Sequence, residues 1–167
     1  MAMRALYLVR HAIAFERGDE WPDDAKRPLT HKGAARMREI VEGLLALDVE
    51  LDLVVTSPLV RAKQTADLVI SGWPQPLALV VSPSLAPGGQ PASVADMLSQ
   101  HTTAASVALV GHEPDLGELA AWLIGARHPL PFKKGGVARI DLPSMPVNGS
   151  GELVWMATPK MLRAMAV

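Results

Sequence analysis

Two short segments about a hundred residues apart carry the most reactive side-chain chemistry in this chain, Arg10-His11-Ala12 and Gly111-His112-Glu113-Pro114. A third segment, Ser57-Pro58-Leu59-Val60-Arg61-Ala62-Lys63-Gln64-Thr65, supplies an arginine in what reads as the first turn of a helix. Free backbone N–H groups and the helix dipole already favour an anion at such a turn. Two arginines and two histidines around one pocket would suit a dianionic phosphoryl group, because guanidinium forks match phosphate oxygens and stay charged at any physiological pH. A neutral imidazole can attack phosphorus in line when its other ring nitrogen donates to a fixed acceptor, which sets the tautomer. That attack is assigned to His11. A protonated His112 would stabilise the negative charge that gathers on the equatorial oxygens in the transition state.

For these groups to meet, the intervening chain must bring strand ends together. Ala5 to Val9, Leu53 to Thr56, Leu77 to Val81 and Val107 to Val110 are short runs rich in Val and Leu, as buried parallel strands are. Between the first two, Thr30 reads as an N-cap, and Ala34, Met37, Val41, Leu44 and Leu45 share one helical face. Ser57-Pro58 reads as the start of a helix running to about Ile70, with the serine hydroxyl as cap. Further helices are expected over Pro91 to His101 and from Asp115, with Glu118 completing a capping-box variant, to Gly125. Gly136 to Leu142 and Glu152 to Thr158 read as two more strands about the Asn148-Gly149 turn, with a short helix after Pro159.

The expected fold class is therefore α/β, a three-layer sandwich with a mostly parallel central sheet of about six strands and helices on both faces. Ligand sites of such sheets lie beyond the carboxyl ends of the strands, where His11, the Ser57 segment and His112 would all emerge. Residues 1–167 are read as one domain, long enough to bury a core without disulfides or a structural metal. There are no cysteines, so thiolate chemistry and Cys-based zinc sites are excluded. The net charge of −1, with both signs interspersed, offers no broad cationic face for a nucleic-acid backbone. No apolar stretch approaches the ~20 residues needed to span a bilayer, and Ala5 to Val9 is too short for a signal-peptide core. A cytoplasmic location is expected.

The segments together resemble the histidine phosphatase superfamily, and its short SixA-like branch in particular. Arg10-His11-Ala12 is similar to the family's Arg-His-Gly signature, and Arg27-Pro28-Leu29-Thr30 followed by Gly33 to the opening of its first helix. Ser57-Pro58 with Arg61, Ala62, Gln64 and Thr65 resembles the second motif, Gly111 to Pro114 the third, and Trp155 to Pro159 the terminal strand and its exit. The resemblance implies a phosphoglycerate mutase-like fold and a phosphohistidine intermediate on His11, hydrolysed by water without metal or other cofactor. Arg10, Arg61 and His112 would bind the phosphoryl group, with Arg27 as an extra substrate contact. Two positions depart from the pattern: Ala12 replaces the signature glycine, and Pro83 to Gly89 holds no carboxylate where many larger relatives place a glutamate as general acid. The proton donor is left open among Glu16, Asp19 and Glu20.

The missing acid, and the absence of a large insertion between the third strand and third helix, favour an open site and a histidine-phosphorylated signalling or phosphotransfer protein as substrate. The alternatives are a small phosphomonoester and a catalytically silent phosphate-binding module. An Arg-His pair alone is more often a surface or satisfied core pair; four such features in the right order carry the catalytic reading. Glu113 could orient His112 or simply favour a helix start, and it stays outside the catalytic set. His31, His101 and His128 read as structural; Lys133-Lys134 could steer an anionic substrate but read as a solvated pair; Ser57 could touch phosphate but reads as a cap; Met161 and Met165 read as core contacts.

Overall fold

A computed structural model describes residues 3–166. The strands are β1 (Arg4–Arg10), β2 (Leu53–Thr56), β3 (Ala78–Val81), β4 (Ser106–Gly111), β5 (Val137–Leu142) and β6 (Glu152–Ala157). The helices are α1 (His31–Ala46), α2 (Val60–Gly72), α3 (Pro91–Ser99), α4 (Asp115–Ile124) and α5 (Pro159–Met165). All six strands form one sheet in the order β3-β2-β4-β1-β5-β6. β1, β4, β2 and β3 pair in parallel, while β5 is antiparallel to both β1 and β6. The α/β sandwich expected from the sequence is thus observed, with the antiparallel hairpin at one edge.

Alternating side chains along the strands serve two cores, as the period of two requires. Tyr7, Val9, Val54 and Val110 face Met37, Ile40, Ala62, Val69 and Leu162 of α1, α2 and α5. Leu6, Leu8, Val55 and Leu109 face Val94, Leu98, Leu116 and Leu123 of α3 and α4. Each fully buried Leu or Ile in these layers contributes roughly 1.5–3 kcal/mol over the exposed state, which is what fixes the sheet between its helices.

Thr30 caps α1 as expected, its hydroxyl accepting from the Gly33 N–H. Gly33 is there because α1 lies directly on the loop after β1: a Cβ at this position would stand 2.0 Å from the Ile13 carbonyl oxygen. Gly125 ends α4 with a left-handed φ of 71°, which suits glycine. Three local expectations are corrected. α2 starts at Val60 with Leu59 as N-cap, two residues beyond the Ser57-Pro58 start, and the Ser57 hydroxyl accepts from the N–H of Leu59 without capping the helix. Asp115 is not a cap; its carboxylate accepts from the Gly88 N–H, and Glu113 takes the capping role for α4. Met161 and Met165 are exposed, since Leu162 is the one residue of α5 that is buried.

Candidate active site

The sheet register decides the site. β1 and β4 are adjacent and parallel, with Arg10 opposite Gly111, so His11 and His112 leave the sheet side by side. Their ring centroids are 5.2 Å apart. β2 borders β4 on the other side, with Thr56 opposite Val110, and delivers Ser57 to the same edge. The pocket beyond these strand ends has a volume of about 280 Å³ and is lined by Arg10, His11, Glu16, Arg17, Arg27, Arg61, Pro87, His112, Glu113 and Lys134. Arg10, His11, Arg27, Arg61 and His112, the catalytic and phosphate-binding candidates from the sequence, therefore line one cavity. Arg61 and both histidines are also buried.

His11 is only 5% exposed, and its Nδ1 lies 2.7 Å from the Ala12 carbonyl oxygen. A carbonyl only accepts, so Nδ1 carries the hydrogen and Nε2 keeps its lone pair. Burial holds the His11 pKa down to about 3, against a smaller opposing effect of the Ala12 bond; His112, Arg61 and Arg10 lower it further. The imidazole is neutral at pH 7. The loop is held in place from α2, where the Thr65 hydroxyl accepts from the Ala12 N–H at 3.0 Å and donates to the Arg61 carbonyl at 2.8 Å. Ala12 is 3% exposed and fits without displacing the loop, so the missing signature glycine leaves the pocket intact.

His112 Nε2 is 2.7 Å from Ser57 Oγ, which also accepts from the Leu59 N–H at 3.2 Å. Ser57 thus orients the second histidine. Burial, and secondarily the Arg61 charge, pull the His112 pKa down to about 4. The expected protonated His112 is corrected: burial, and then the neighbouring Arg61 charge, disfavour the imidazolium, so the ring is neutral at pH 7. Arg10 Nη1 donates to the Phe132 carbonyl at 2.7 Å, and Glu113 fixes that loop by accepting from Gly117 N–H (2.7 Å) and Phe132 N–H (3.2 Å). Glu113 is structural here, shaping Arg10 from behind.

Asp24 is the residue that sequence reasoning missed. Its carboxylate meets Arg61 Nη2 and Arg27 Nε at 3.0 Å each, and Arg17 Nε at 3.5 Å. All three carboxylates left open as proton carriers are exposed, and of them Glu16 lines the pocket whereas Asp19 and Glu20 do not. Lys134 lines it as well. Of the Pro83 to Gly89 loop, Pro87 alone reaches the cavity, so no acid comes from that side.

Three buried polar atoms of pocket-lining residues, Arg10 Nε, Arg61 Nε and His112 Nδ1, find no partner among the described residues. Arg10 Nε and Arg61 Nε are donors, and a buried donor left unpaired costs roughly 1–3 kcal/mol, so the pair points to an anion that accepts from them. With five cationic side chains against two carboxylates on its walls, the cavity suits a phosphoryl group. Among the described residues there is no group of three or more His, Cys, Asp or Glu side chains placed to hold a metal ion.

A sequence profile described as "Histidine phosphatase superfamily (branch 1)" matches residues 6–86. The phosphohistidine phosphatase SixA of Escherichia coli (strain K12) is 30% identical over 160 residues, covering 95% of this chain and 96% of that protein. The chain belongs to the histidine phosphatase superfamily. An uncharacterised protein of Picosynechococcus is 35% identical over 163 residues, covering 94% of this chain and 98% of its own. The solved structure of the protein histidine phosphatase SixA complexed with tungstate superposes with a TM-score of 0.84 at 30% identity, covering 95% of this chain and 99% of that one. As a histidine phosphatase superfamily member, the protein is a phosphatase with the phosphoglycerate mutase-like fold. Among the described residues no helix is long and apolar enough to cross a membrane.

Proposed function

We propose that this phosphatase removes phosphate from phosphohistidine on a partner protein, through a covalent phosphohistidine on its own His11. The observation that carries the reading is the 2.7 Å bond from His11 Nδ1 to the Ala12 carbonyl, which leaves Nε2 unprotonated in a cavity walled by Arg10, Arg61 and His112. In the first step the Nε2 lone pair bonds to phosphorus while the substrate P–N bond breaks, and the departing imidazole nitrogen takes a proton. In the second, water bonds to phosphorus, loses a proton, and the P–Nε2 bond breaks to release phosphate and restore His11. Arg10 and Arg61 hold the equatorial oxygens throughout, and Arg27 contacts the substrate at the rim. Glu16 is the side chain placed to carry the proton, being the one pocket-lining member of the three loop carboxylates.

A phosphorylated protein side chain is favoured by the walls. Only Pro87 reaches the pocket from the segment between β3 and α3, so no folded insertion encloses a small substrate. The likeness to SixA, at 30% identity over nearly the whole chain, supports the same class. The whole chain is read as one domain, acting with neither metal nor cofactor. The test is a panel in which a histidine-phosphorylated protein is compared with sugar and nucleotide phosphates under identical conditions. Faster turnover of the phosphohistidine protein is expected; a sugar or nucleotide phosphate turned over faster would reassign the substrate. A labelled, acid-labile phosphoenzyme is expected in wild type and absent in His11→Ala. Failure to trap it at any substrate concentration would favour a non-catalytic phosphate-binding role.

A further inference from the structure

Asp24 opens a single turn of 3-10 helix, Asp24–Lys26, packed against α2, and its side chain does not cap that turn but reaches Arg27 at its far end and Arg61 of α2. The turn is capped by its neighbour, since Asp23 Oδ1 accepts from the Ala25 N–H at 3.1 Å. The Asp24 side chain is engaged by arginines: Oδ2 accepts from Arg61 Nη2 (3.0 Å) and Oδ1 from Arg27 Nε (3.0 Å), with Arg17 Nε at 3.5 Å from the same oxygen. Its backbone carbonyl accepts from Arg61 Nη1 at 2.8 Å. Asp24 therefore holds the Nη1–Nη2 edge of the Arg61 guanidinium at two points.

A guanidinium has five N–H groups in one rigid plane, and two parallel bonds on one edge fix both its position and its rotation. Arg61 is 2% exposed and its Nε is buried without a partner, on the side that Asp24 leaves free. We propose that Asp24 is a positioning residue for phosphoryl transfer, clamping one edge of Arg61 so that the Nε side is presented to the phosphoryl oxygens. The carboxylate also ties Arg27 to the same clamp, and Arg27 Nη1 is secured by the Phe15 carbonyl at 2.6 Å. Two buried arginines at the cavity are thus set relative to each other by one carboxylate.

Asp24 as a mere counter-ion would weaken anion binding, and its removal would tighten the site. Asp24 as a clamp makes a different signature, because a misplacement of ~1 Å in a transition-state donor can lower the rate ~10²-fold. The inference rests on the phosphatase reading, and the experiment separates the two. Wild type, Asp24→Asn and Asp24→Glu are compared for kcat and KM on a histidine-phosphorylated peptide, for inorganic phosphate affinity by calorimetry, and for the Arg61 Nε–H signal by NMR. In Asp24→Asn, which keeps the backbone carbonyl bond and the Asp23 cap, kcat is expected to fall 10- to 100-fold. Phosphate affinity is expected to hold or rise, because the cup loses a negative charge, and the Nε–H signal should broaden. Asp24→Glu, which keeps the charge one methylene farther out, should lie between. An unchanged kcat in folded Asp24→Asn overturns the proposal, as does a parallel loss of kcat and phosphate affinity. If wild type turns over no phosphorylated substrate, the functional reading fails, and an Arg61 Nε–H signal unchanged in Asp24→Asn would then overturn the clamp independently.

Discussion

Moving the protein from pH 7 to pH 5 should remove about 4 kcal/mol of folding stability, drawn from the two buried histidines, His11 and His112. Burial, more than any single charge, holds His11 at about 3 and His112 at about 4, and both rings are almost wholly inaccessible to water. In the unfolded chain each returns to a value near ~6.5 and takes up a proton as the pH falls through it. The unfolded state then binds more protons than the folded one, so stability rises with pH: it is complete above ~6.5 and is lost as the pH falls toward the folded values. At pH 5 both folded rings are still neutral, and each contributes a loss set by the gap of about 1.5 units, roughly 2 kcal/mol. Because the folded values both lie below 5, a change of about one unit in His11 would not alter that figure materially. The assay is urea unfolding at the two pH values for wild type and His11→Asn, with the slope checked for two-state behaviour. The variant should lose only about half as much as wild type. Equal losses would refute the claim that His11 is held neutral by its surroundings.

Other outcomes follow from the same geometry. His11→Ala should fold and bind phosphate but form no phosphoenzyme, read by acid-labile label; Arg61→Ala should lower kcat by roughly 100-fold or more, as loss of one transition-state donor does. Gly33→Ala should destabilise the protein by about 2 kcal/mol or more in urea unfolding, because its Cβ would meet the Ile13 carbonyl oxygen at 2.0 Å and push the loop that carries His11. Glu113→Ala leaves the Gly117 and Phe132 N–H groups unpaired, at roughly 1–3 kcal/mol each. It should also raise KM through Arg10, whose anchor is the Phe132 carbonyl. Activity should persist in EDTA, and its loss there would revive a metal held by the two histidines.

The strands and the convergence of His11 and His112 were legible because both follow from one-dimensional patterns: Val and Leu runs mark the strands, buried in β1, β2 and β4 although β3, at the sheet edge, is mostly exposed, and the residue after each buried run must lie at the same sheet edge. Other features were set by partners the pattern does not contain. Ser57 looked like a cap because its hydroxyl precedes a helix, but the hydroxyl also lies within hydrogen-bonding distance of His112 Nε2, and the helix starts two residues later. Asp115 had the spacing of a cap, yet Glu113 reaches Gly117 first and leaves Asp115 to the Gly88 N–H. Asp24 carries no motif of its own; only the docking of its turn on α2 brings three arginines to one carboxylate. The neutral state of His112 depends on burial and on Arg61, neither of which a local sequence window contains.

That neutral state gives the proposed chemistry its order. Burial sets the low pKa of His11, and His112, Arg61 and Arg10 lower it further, so the charges that would bind the phosphoryl group help to keep the proposed attacking nitrogen free of a proton. A phosphoryl dianion entering the cup cancels part of that positive field and favours protonation of whichever imidazole does not attack. His112, whose ring is oriented by Ser57 and whose Nδ1 lacks a partner, is the one able to gain a proton and donate to the bound oxygens. His11 cannot follow it, because its Nδ1 hydrogen is already given to Ala12 and its Nε2 lone pair is engaged with phosphorus. The measurable consequence is a rise in the His112 pKa, read by NMR, on adding inorganic phosphate or vanadate. A His112 that titrates at the same pH with and without the anion would show that the arginines, and not the second imidazole, stabilise the transferring group.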